Sequence, residues 1–220
     1  KGCTVSESID LTEAPPLTAS LTSQDVSCFL GKDGIISTTV GGGTGTYLSY
    51  LLLQTNTTDP NGDGVFENLG AGTYNVRVTD LNNCKVDSNP IDLLQPTQVE
   101  INSIVVATDA NGFNLNCRDA SDGEIEVTFS GGNAPADYTV TLTKSSDPGN
   151  PYTDNTTTNS SIFPNLGFGN YTAVVEDAKG CPSLPASAII VNPPPFSPGF
   201  VGINQSICVG DDPVEIQQLV

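Results

Sequence analysis

An internal repeat sets the strongest limit on how this chain can fold. Residues 69–80, followed by Cys84, recur 97 residues further on as residues 166–177, followed by Cys181. A leucine, a glycine, a tyrosine, an acid and the cysteine keep their spacing in both copies. A recurrence at this period indicates a repeated domain rather than one large domain, and each copy runs from a turn into a strand-like segment.

The repeated stretch also has a local pattern. Tyr74, Val76 and Val78 alternate with polar residues, as in a strand with one buried face. Tyr74 and its equivalent Tyr171 stand at the start of this strand, shortly before a cysteine. This placement resembles the tyrosine corner of immunoglobulin-like sandwiches, in which a tyrosine hydroxyl bonds back to the preceding turn. We therefore predict a structural role for both tyrosines.

The repeat divides the chain into four parts. We assign residues 17–96 and 97–195 to two complete immunoglobulin-like repeats, residues 1–16 to the end of a preceding repeat, and residues 196–220 to a linker and the start of a third. A proline stands twelve positions after each of Cys3, Cys84 and Cys181 and ends the repeat. We expect the sequence to be a segment of a longer protein.

Strand and turn signals alternate along both repeats, and no helical periodicity interrupts them. Predicted strands cover residues 17–22, 35–40, 47–54 and 65–68 in the first repeat, residues 99–105, 138–144 and 162–166 in the second, and the closing segments 9–11, 91–94 and 188–191. Residues 55–64 and 145–160 are predicted to be polar loops. The fold class is therefore all-β, with tandem immunoglobulin-like β-sandwich domains and flanking half-repeats.

Charge and hydropathy exclude several functions. The chain carries 25 acidic and 7 basic residues, a net charge of −18, so it lacks the basic clusters that bind nucleic acid. No apolar run approaches the roughly 18 residues of a membrane span. Histidine is absent, and the carboxylate pair Glu124 and Glu126 is better explained as a solvated strand face than as a glycosidase pair. We predict that the chain is not an enzyme.

One acidic loop has the spacing of a calcium site. Residues 59–67 resemble the first nine positions of an EF-hand-type loop, in which oxygen ligands alternate around the cation. The glutamate of position 12 is missing, because Gly70 stands there. The alternative is a polar turn, and no other cofactor is expected. The candidate calcium ligands are Asp59, Asn61, Asp63, the carbonyl of Val65, and Glu67.

Taken in order, the motifs resemble the SprB-type repeat of very large Bacteroidota cell-surface proteins. The resemblance implies an extracellular, cell-surface tandem array, exported by the type IX system and used in adhesion or gliding motility. Its partners would be neighbouring repeats or copies of the same protein. In the first repeat the pattern is carried by Cys28, Asp33, Gly34, Gly42, Gly43, Tyr47, Leu69, Gly72, Tyr74, Val76, Val78, Asp80, Cys84, Gln95 and Pro96. In the second it is carried by Cys117, Asp122, Gly123, Gly131, Gly132, Leu166, Gly169, Tyr171, Val174, Asp177, Cys181 and Pro193.

The six widely spaced cysteines indicate disulfides and an oxidising exterior. The pairing that respects the repeat is Cys28–Cys84 and Cys117–Cys181, with Cys3 and Cys208 bonded outside the chain or between copies. A rival pairing joins neighbouring repeats through Cys3–Cys28, Cys84–Cys117 and Cys181–Cys208. Both schemes remain open at the level of sequence.

Three functions are compatible with these observations. The first is a disulfide-joined stalk of a surface adhesin or fibre. The second is a self-assembling filament subunit, in which strand exchange between copies completes the half-repeats. The third is a carbohydrate-binding module, whose aromatic platform would use Tyr47, Tyr50, Tyr138 or Tyr152. The surface or glycan ligand is not identified by the sequence.

Overall fold

The computed structural model describes residues 5–9, 12–110, 112–133 and 137–195. Within these residues every helix or strand assigned is a β-strand. The first repeat contains nine strands, and all of its pairings are antiparallel. Their bounds are β1 Thr18–Gln24, β2 Gly34–Gly41, β3 Tyr47–Leu52, β4 Thr57–Thr58, β5 Val65–Leu69, β6 Gly72–Tyr74, β7 Val76–Asp80, β8 Lys85–Asp87 and β9 Ile91–Leu93.

In its described residues the second repeat contains seven strands. They are β10 Thr97–Val106, β11 Gly123–Gly132, β12 Tyr138–Lys144, β13 Asp147–Thr156, β14 Ser160–Leu166, β15 Gly169–Asp177 and β16 Ala186–Ile190. Here β10-β11-β14 form one sheet and β13-β12-β15-β16 the other. The first repeat has the same plan, with β1-β2-β5 in one sheet and β4-β3-β7-β8 in the other, while β6 pairs with β9. The predicted fold class, all-β with tandem immunoglobulin-like sandwiches, is confirmed.

Buried apolar side chains form two separate clusters, one inside each sandwich. In the first repeat Ile36, Val76 and Val78 are fully buried between the sheets. In the second, Phe129 and Tyr171 occupy the corresponding space and are fully buried as well. The alternation read from the sequence places these residues on the inner face of their strands, because side chains along a strand point to opposite faces.

Three local predictions are wrong. The predicted loop at residues 55–64 contains the short strand β4, which pairs with β3. Residues 145–160 were predicted to be a loop, but β13 pairs with β12 along the sheet edge. An edge strand tolerates Pro148 and Gly149, because it needs hydrogen bonds on one side only. The strand of the repeated stretch is also interrupted at Asn75, so that β6 pairs with β9 while β7 pairs with β3 and β8.

The segments predicted to be flanking half-repeats are described only at residues 5–9 and 12–16. Residues 5–9 and 12–16 have no regular secondary structure, and the predicted strand at residues 9–11 includes Asp10 and Leu11, which lie outside the described residues. Residues 196–220, assigned from the sequence to a linker and a third repeat, lie outside them as well.

Candidate functional site at the junction of the two repeats

Each sandwich has two ends, defined here by the path of the chain. The entry end is where its first strand begins, and the exit end is where its last strand finishes. In the first repeat Cys28 lies at the exit end, where the backbone N–H of Val26 donates to the carbonyl of Leu94 at 3.0 Å. Cys84 lies at the entry end, because it follows β7, which pairs through Asp80 with Tyr47 at the start of β3.

A disulfide joins the exit end of the first repeat to the entry end of the second. It links Cys28 to Cys181, whose Cα atoms lie 5.5 Å apart, within the range of unstrained disulfides. Cys84 and Cys117 are free and exposed. The predicted pairing Cys28–Cys84 and Cys117–Cys181 is therefore wrong. The rival pairing is also wrong, because Cys28 and Cys181 are bonded to each other and Cys84 and Cys117 are free. Cys3 and Cys208 lie outside the described part of the chain.

The physical reason is the antiparallel path of the chain. Cys28 follows β1, which runs from the entry end to the exit end, whereas Cys84 follows β7, which runs back to the entry end. The two cysteines of one repeat therefore lie at opposite ends of its sandwich. When repeats stack end to end, the cysteine that faces Cys28 is the late cysteine of the next repeat.

The turn that carries Cys28 is held by Asp33. The backbone N–H of Ser27 donates to the Asp33 carboxylate at 3.0 Å, and the N–H of Gly31 donates to the carbonyl of Cys28 at 2.9 Å. Hydrogen bonds from the side chain and backbone of Ser27 lower the pKa of Asp33 below its usual value. The acid five residues after the early cysteine therefore shapes the cysteine turn.

The turn that carries Cys181 is held by Asp177, a carboxylate only 5% exposed. Its Oδ1 accepts the backbone N–H of Lys179 at 2.9 Å and that of Cys181 at 3.0 Å, and its Oδ2 accepts the N–H of Asn133 at 2.9 Å. Burial alone would raise the pKa of Asp177, but these hydrogen bonds outweigh burial and hold it below the usual value. The carboxylate is therefore ionised at neutral pH.

Asn133 adds a polar contact across the junction. Its Nδ2 donates to the Ser27 carbonyl of the first repeat at 2.9 Å and to Asp177 Oδ2 at 2.8 Å. The same carbonyl lies 3.2 Å from Cys181 Sγ. Sequence reasoning missed Asn133, and the available signal was its position directly after the Gly131-Gly132 pair. The junction thus combines a covalent bond with a hydrogen bond between the repeats.

The two predicted corner tyrosines occupy equivalent sequence positions: Tyr74 is the last residue of β6, just before β7, and Tyr171 lies near the start of β15. The Tyr74 hydroxyl donates to the carbonyl of Gly70 at 2.9 Å, and the Tyr171 hydroxyl donates to the carbonyl of Gly167 at 2.7 Å. Burial, and to a lesser degree nearby Tyr152, raises the pKa of Tyr171 to about 12. The hydroxyl therefore stays protonated and able to donate throughout the neutral range.

The candidate calcium loop is held by its own backbone. Asp59 is buried, with Oδ1 accepting the N–H of Asn61 at 2.9 Å and Oδ2 that of Gly64 at 2.7 Å. Burial would raise the pKa of Asp59, but backbone hydrogen bonds, first among them that from Gly64, lower it. Asp63 accepts the N–H of Val65 at 3.0 Å, and Glu67 is exposed.

Calcium at this loop stays a prediction. In the described part of the chain, no group of three or more histidine, cysteine, aspartate or glutamate side chains is arranged to hold a metal ion.

The candidate aromatic platform is largely buried. Tyr50 and Tyr138 are 7% and 5% exposed. The hydroxyls of Tyr47 and Tyr138 donate to the carbonyls of Gly42 and Gly131, at 3.3 Å and 2.6 Å. These tyrosines therefore brace the glycine loop rather than present a flat ring to a sugar. Of the four, Tyr152 is the one with an exposed side chain.

Comparison with known proteins supports a repeat of this class. The fold and the junction define a tandem immunoglobulin-like repeat protein. Residues 113–143 match the family model of the SprB repeat, from the segment before Cys117 into β12, so the resemblance to this repeat is confirmed there. No curated protein sequence matches the chain significantly.

The solved structures that align with this chain share little sequence with it. Three N-terminal domains of the bacteriophage RB49 outer capsid protein Hoc are 17% identical, with a TM-score of 0.44, and the alignment covers 79% of this chain and 58% of that one. A tetra-tandem repeat from the extending region of a large adhesion protein is 16% identical, with a TM-score of 0.30 and coverage of 80% and 49%. A two-domain fibronectin type III segment of chicken tenascin is 14% identical, with a TM-score of 0.32 and coverage of 82% and 100%.

Membrane insertion through a helix finds no support in the described residues. None of them forms a helix that is long and apolar enough to cross a bilayer.

Proposed function

We propose that this chain is a tandem-repeat segment of a bacterial surface adhesin, acting as an extracellular stalk for adhesion or gliding motility. The observation that carries the proposal is the Cys28–Cys181 disulfide, which joins consecutive sandwiches end to end. The SprB match at residues 113–143 supports a cell-surface repeat, and a disulfide suits an oxidising exterior.

The position of the disulfide suits a chain under tension. Tension applied at the two ends of the chain reaches Cys28 from the first strand, crosses the disulfide to Cys181 and leaves through the last strand. Once the hydrogen bonds of a repeat have yielded, the disulfide carries the tension, and the intervening chain, a sequence separation of 153 residues, stays unloaded. Fully stretched, that chain would span roughly 500 Å, so the bond prevents a large extension of the stalk.

Single-molecule pulling from the two termini tests this mechanism. Under oxidising conditions we expect the chain between Cys28 and Cys181 to stay hidden, and reduction should release the additional extension of roughly 500 Å. The Cys28→Ser variant should release it without reductant. Full extension of the oxidised wild-type chain would contradict the stalk mechanism.

Surface labelling and gene deletion test the cellular role. An antibody against this chain should label intact cells of the source bacterium, and deletion of the gene should reduce attachment or gliding. Labelling that requires permeabilised cells, together with unchanged attachment and gliding, would refute the proposal.

The filament alternative is distinguished by assembly of the isolated chain. Both described sandwiches contain two sheets built from their own strands, so neither needs a strand from another copy to close its core. Long regular filaments that persist after reduction would favour strand exchange over the stalk. The burial of Tyr50 and Tyr138 speaks against the carbohydrate-binding module.

A further inference from the structure

We propose that Cys84 and Cys117 are sites for the same inter-repeat disulfide at the two neighbouring junctions. Cys84 bonds to the exit-end cysteine of another repeat of this type, and Cys117 bonds to the entry-end cysteine of another. The inference rests on the tandem-array part of the proposed function and is independent of adhesion. The partner is a second module with the same cysteine turns.

Cys84 lies in a turn with the same hydrogen bonds as the turn that carries the bonded Cys181. Asp80 is fully buried, and its Oδ1 accepts the backbone N–H of Cys84 at 2.8 Å, as Asp177 accepts that of Cys181 at 3.0 Å. The other carboxylate oxygen of Asp80 accepts the N–H of Thr44 at 3.2 Å, the counterpart of the Asn133 bond. The entry end of the first repeat therefore has the same hydrogen-bonded turn as the entry end of the second repeat, which already forms a junction.

Cys117 lies in a turn with the same hydrogen bonds as the turn that carries the bonded Cys28. The backbone N–H of Asn116 donates to Asp122 at 3.3 Å, and that of Ala120 donates to the carbonyl of Cys117 at 3.2 Å. Asp119 has a φ of 63°, where its counterpart Leu30 has 56°.

In each repeat, a side chain just after the last strand accepts a hydrogen bond from the cysteine turn. The N–H of Asp119 donates to Asn192 Oδ1 at 2.9 Å, and the N–H of Leu30 donates to Gln95 Oε1 at the same distance. The hydrogen bonds that hold the cysteine turn at the exit end are thus repeated in the second repeat.

The cysteines differ in what covers them. Cys181 is 5% exposed at the junction, whereas Cys84 and Cys117 are exposed. Each free cysteine thus occupies the position of a bonded one, on a repeat end that no other repeat covers in the described chain. The observed junction shows what covers such an end: the complementary end of another repeat.

Repetition of this junction gives an array with two covalent connections between neighbours. One is the peptide linker, and the other is a disulfide from the exit-end cysteine of each repeat to the entry-end cysteine of the next. Cleavage of a single linker would then leave the two parts of the array joined. Reduction alone would likewise leave the main chain intact.

The bond forms by ordinary thiol–disulfide exchange with a small disulfide such as oxidised glutathione. One cysteine thiolate attacks the oxidant and releases one glutathione thiol, which leaves a mixed disulfide. The partner thiolate then attacks the protein sulfur and releases the second glutathione thiol. Two protein thiols become one disulfide, and one oxidised glutathione becomes two reduced molecules.

Complementary variants test the proposal with the full chain. In a Cys3→Ser, Cys208→Ser background, one variant carries Cys84→Ser and the other carries Cys117→Ser. The two are incubated with oxidised glutathione, separately and mixed at equal high concentration. We expect the mixture to form at least tenfold more disulfide dimer than either variant alone, because only the mixture offers both an exit-end and an entry-end cysteine.

Tryptic mapping without reduction identifies the bond. Cleavage after lysine and arginine places Cys28, Cys84, Cys117 and Cys181 on four different peptides. The dimer should yield the Cys84 peptide joined to the Cys117 peptide. Absence of that pair, or homodimers at similar yield, overturns the proposal. If the same digest contains the Cys28–Cys181 bond, the proposed stalk function still stands. If that bond is missing, the stalk proposal is overturned as well.

A substitution at the proposed interface distinguishes a specific junction from random collision of two thiols. Thr44 stands where the second repeat has Asn133, whose amide contacts the neighbouring repeat. Introducing Thr44→Asn into the variant that retains Cys84 should increase the yield of mixed dimer, because the amide can donate to the Asn116 carbonyl of the partner copy. An unchanged or lower yield would contradict a junction of this geometry.

Discussion

Cys28 and Cys181 are 153 positions apart in the sequence, and their Cα atoms lie 5.5 Å apart across the junction of two sandwiches. The bond constrains both repeats. If either sandwich unfolds alone, its chain remains closed into a loop by the disulfide and the linker. A closed loop has less conformational entropy than an open chain, so the disulfide stabilises each folded repeat.

Cys28→Ser should therefore destabilise both repeats. We expect the free energy of unfolding of each to fall by about 2–4 kcal/mol, measured by chemical denaturation. Small-angle scattering should show a wider range of angles between the repeats.

Reduction provides the matched control for this variant. Reduced wild-type chain should unfold like the Cys28→Ser variant, and reductant should have no further effect on that variant. An oxidised Cys28→Ser variant as stable as wild type would show that the bond does not restrict the unfolded chain.

Asp177→Asn should destabilise the second repeat by about 2 kcal/mol, because the amide replaces a carboxylate that accepts several hydrogen bonds at the entry end. Thermal unfolding provides the measurement. Glu124→Gln makes the same chemical change at an exposed position and should leave the melting temperature unchanged. Equal effects of the two changes would contradict the role of Asp177.

The same carboxylate predicts an acid dependence. The folded-state pKa of Asp177 lies below its usual value, so the unfolded state binds the proton more readily. The stabilisation is complete above the unfolded pKa of about 4 and is lost as the pH falls through the lower folded pKa. In the Asp177→Asn variant this part of the acid destabilisation should be absent.

Tyr171→Phe should cost the second repeat about 1–2 kcal/mol, because it removes the hydrogen bond to the Gly167 carbonyl and keeps the ring. Tyr152→Phe, on a side chain that is 39% exposed, is the control and should cost little. Unfolding in denaturant measures both, and equal stability of the two variants would rule out the corner contact as a stabilising bond.

The raised pKa of Tyr171 also predicts that the second repeat loses stability at alkaline pH. Its pKa of about 12 in the folded state exceeds the usual value near 10, so the unfolded state ionises first. The resulting stabilisation is complete below pH 10 and is lost as the pH rises toward 12, a change on the order of 2 kcal/mol. Ultraviolet titration should show a tyrosine that ionises near pH 12, and Tyr171→Phe should remove that contribution.

Gly131→Ala should disrupt the entry end of the second repeat. Gly131 has a φ of 87°, and an added Cβ would lie 1.8 Å from the carbonyl oxygen of Gln98. Both effects are unfavourable, so we expect a loss of about 3 kcal/mol or more in thermal unfolding. Gly149→Ala, where an added Cβ meets nothing within 4 Å, should be tolerated. A stable Gly131→Ala variant would contradict this backbone geometry.

Calcium binding at residues 59–67 is tested by melting the chain with calcium and with a chelator. Binding to the folded loop would raise the melting temperature of the first repeat, and Asp63→Ala should abolish the rise. Identical melting in both conditions would show that the loop is a polar turn held by its own backbone.

Much of the fold could be predicted because its signals are local. Alternation around Val76 and Val78 identified an inner strand face, and the repeated turn residues identified two sandwiches of the same plan. The edge strand β13 was missed because its sequence is rich in turn formers. Pairing with β12 orders that segment, and such pairing depends on a strand distant from the local pattern.

A repeated β-sandwich with equivalent turns could be predicted from the sequence, because spacing and alternation act over a few residues. The meeting of Cys28 with Cys181, and the contact of Asn133 with Ser27, appear only in the folded chain. Those outcomes depend on which ends of two sandwiches face each other, and antiparallel strands carry neighbouring sequence to opposite ends. The partner of Cys28 is therefore set by the stacking of whole domains rather than by distance along the chain.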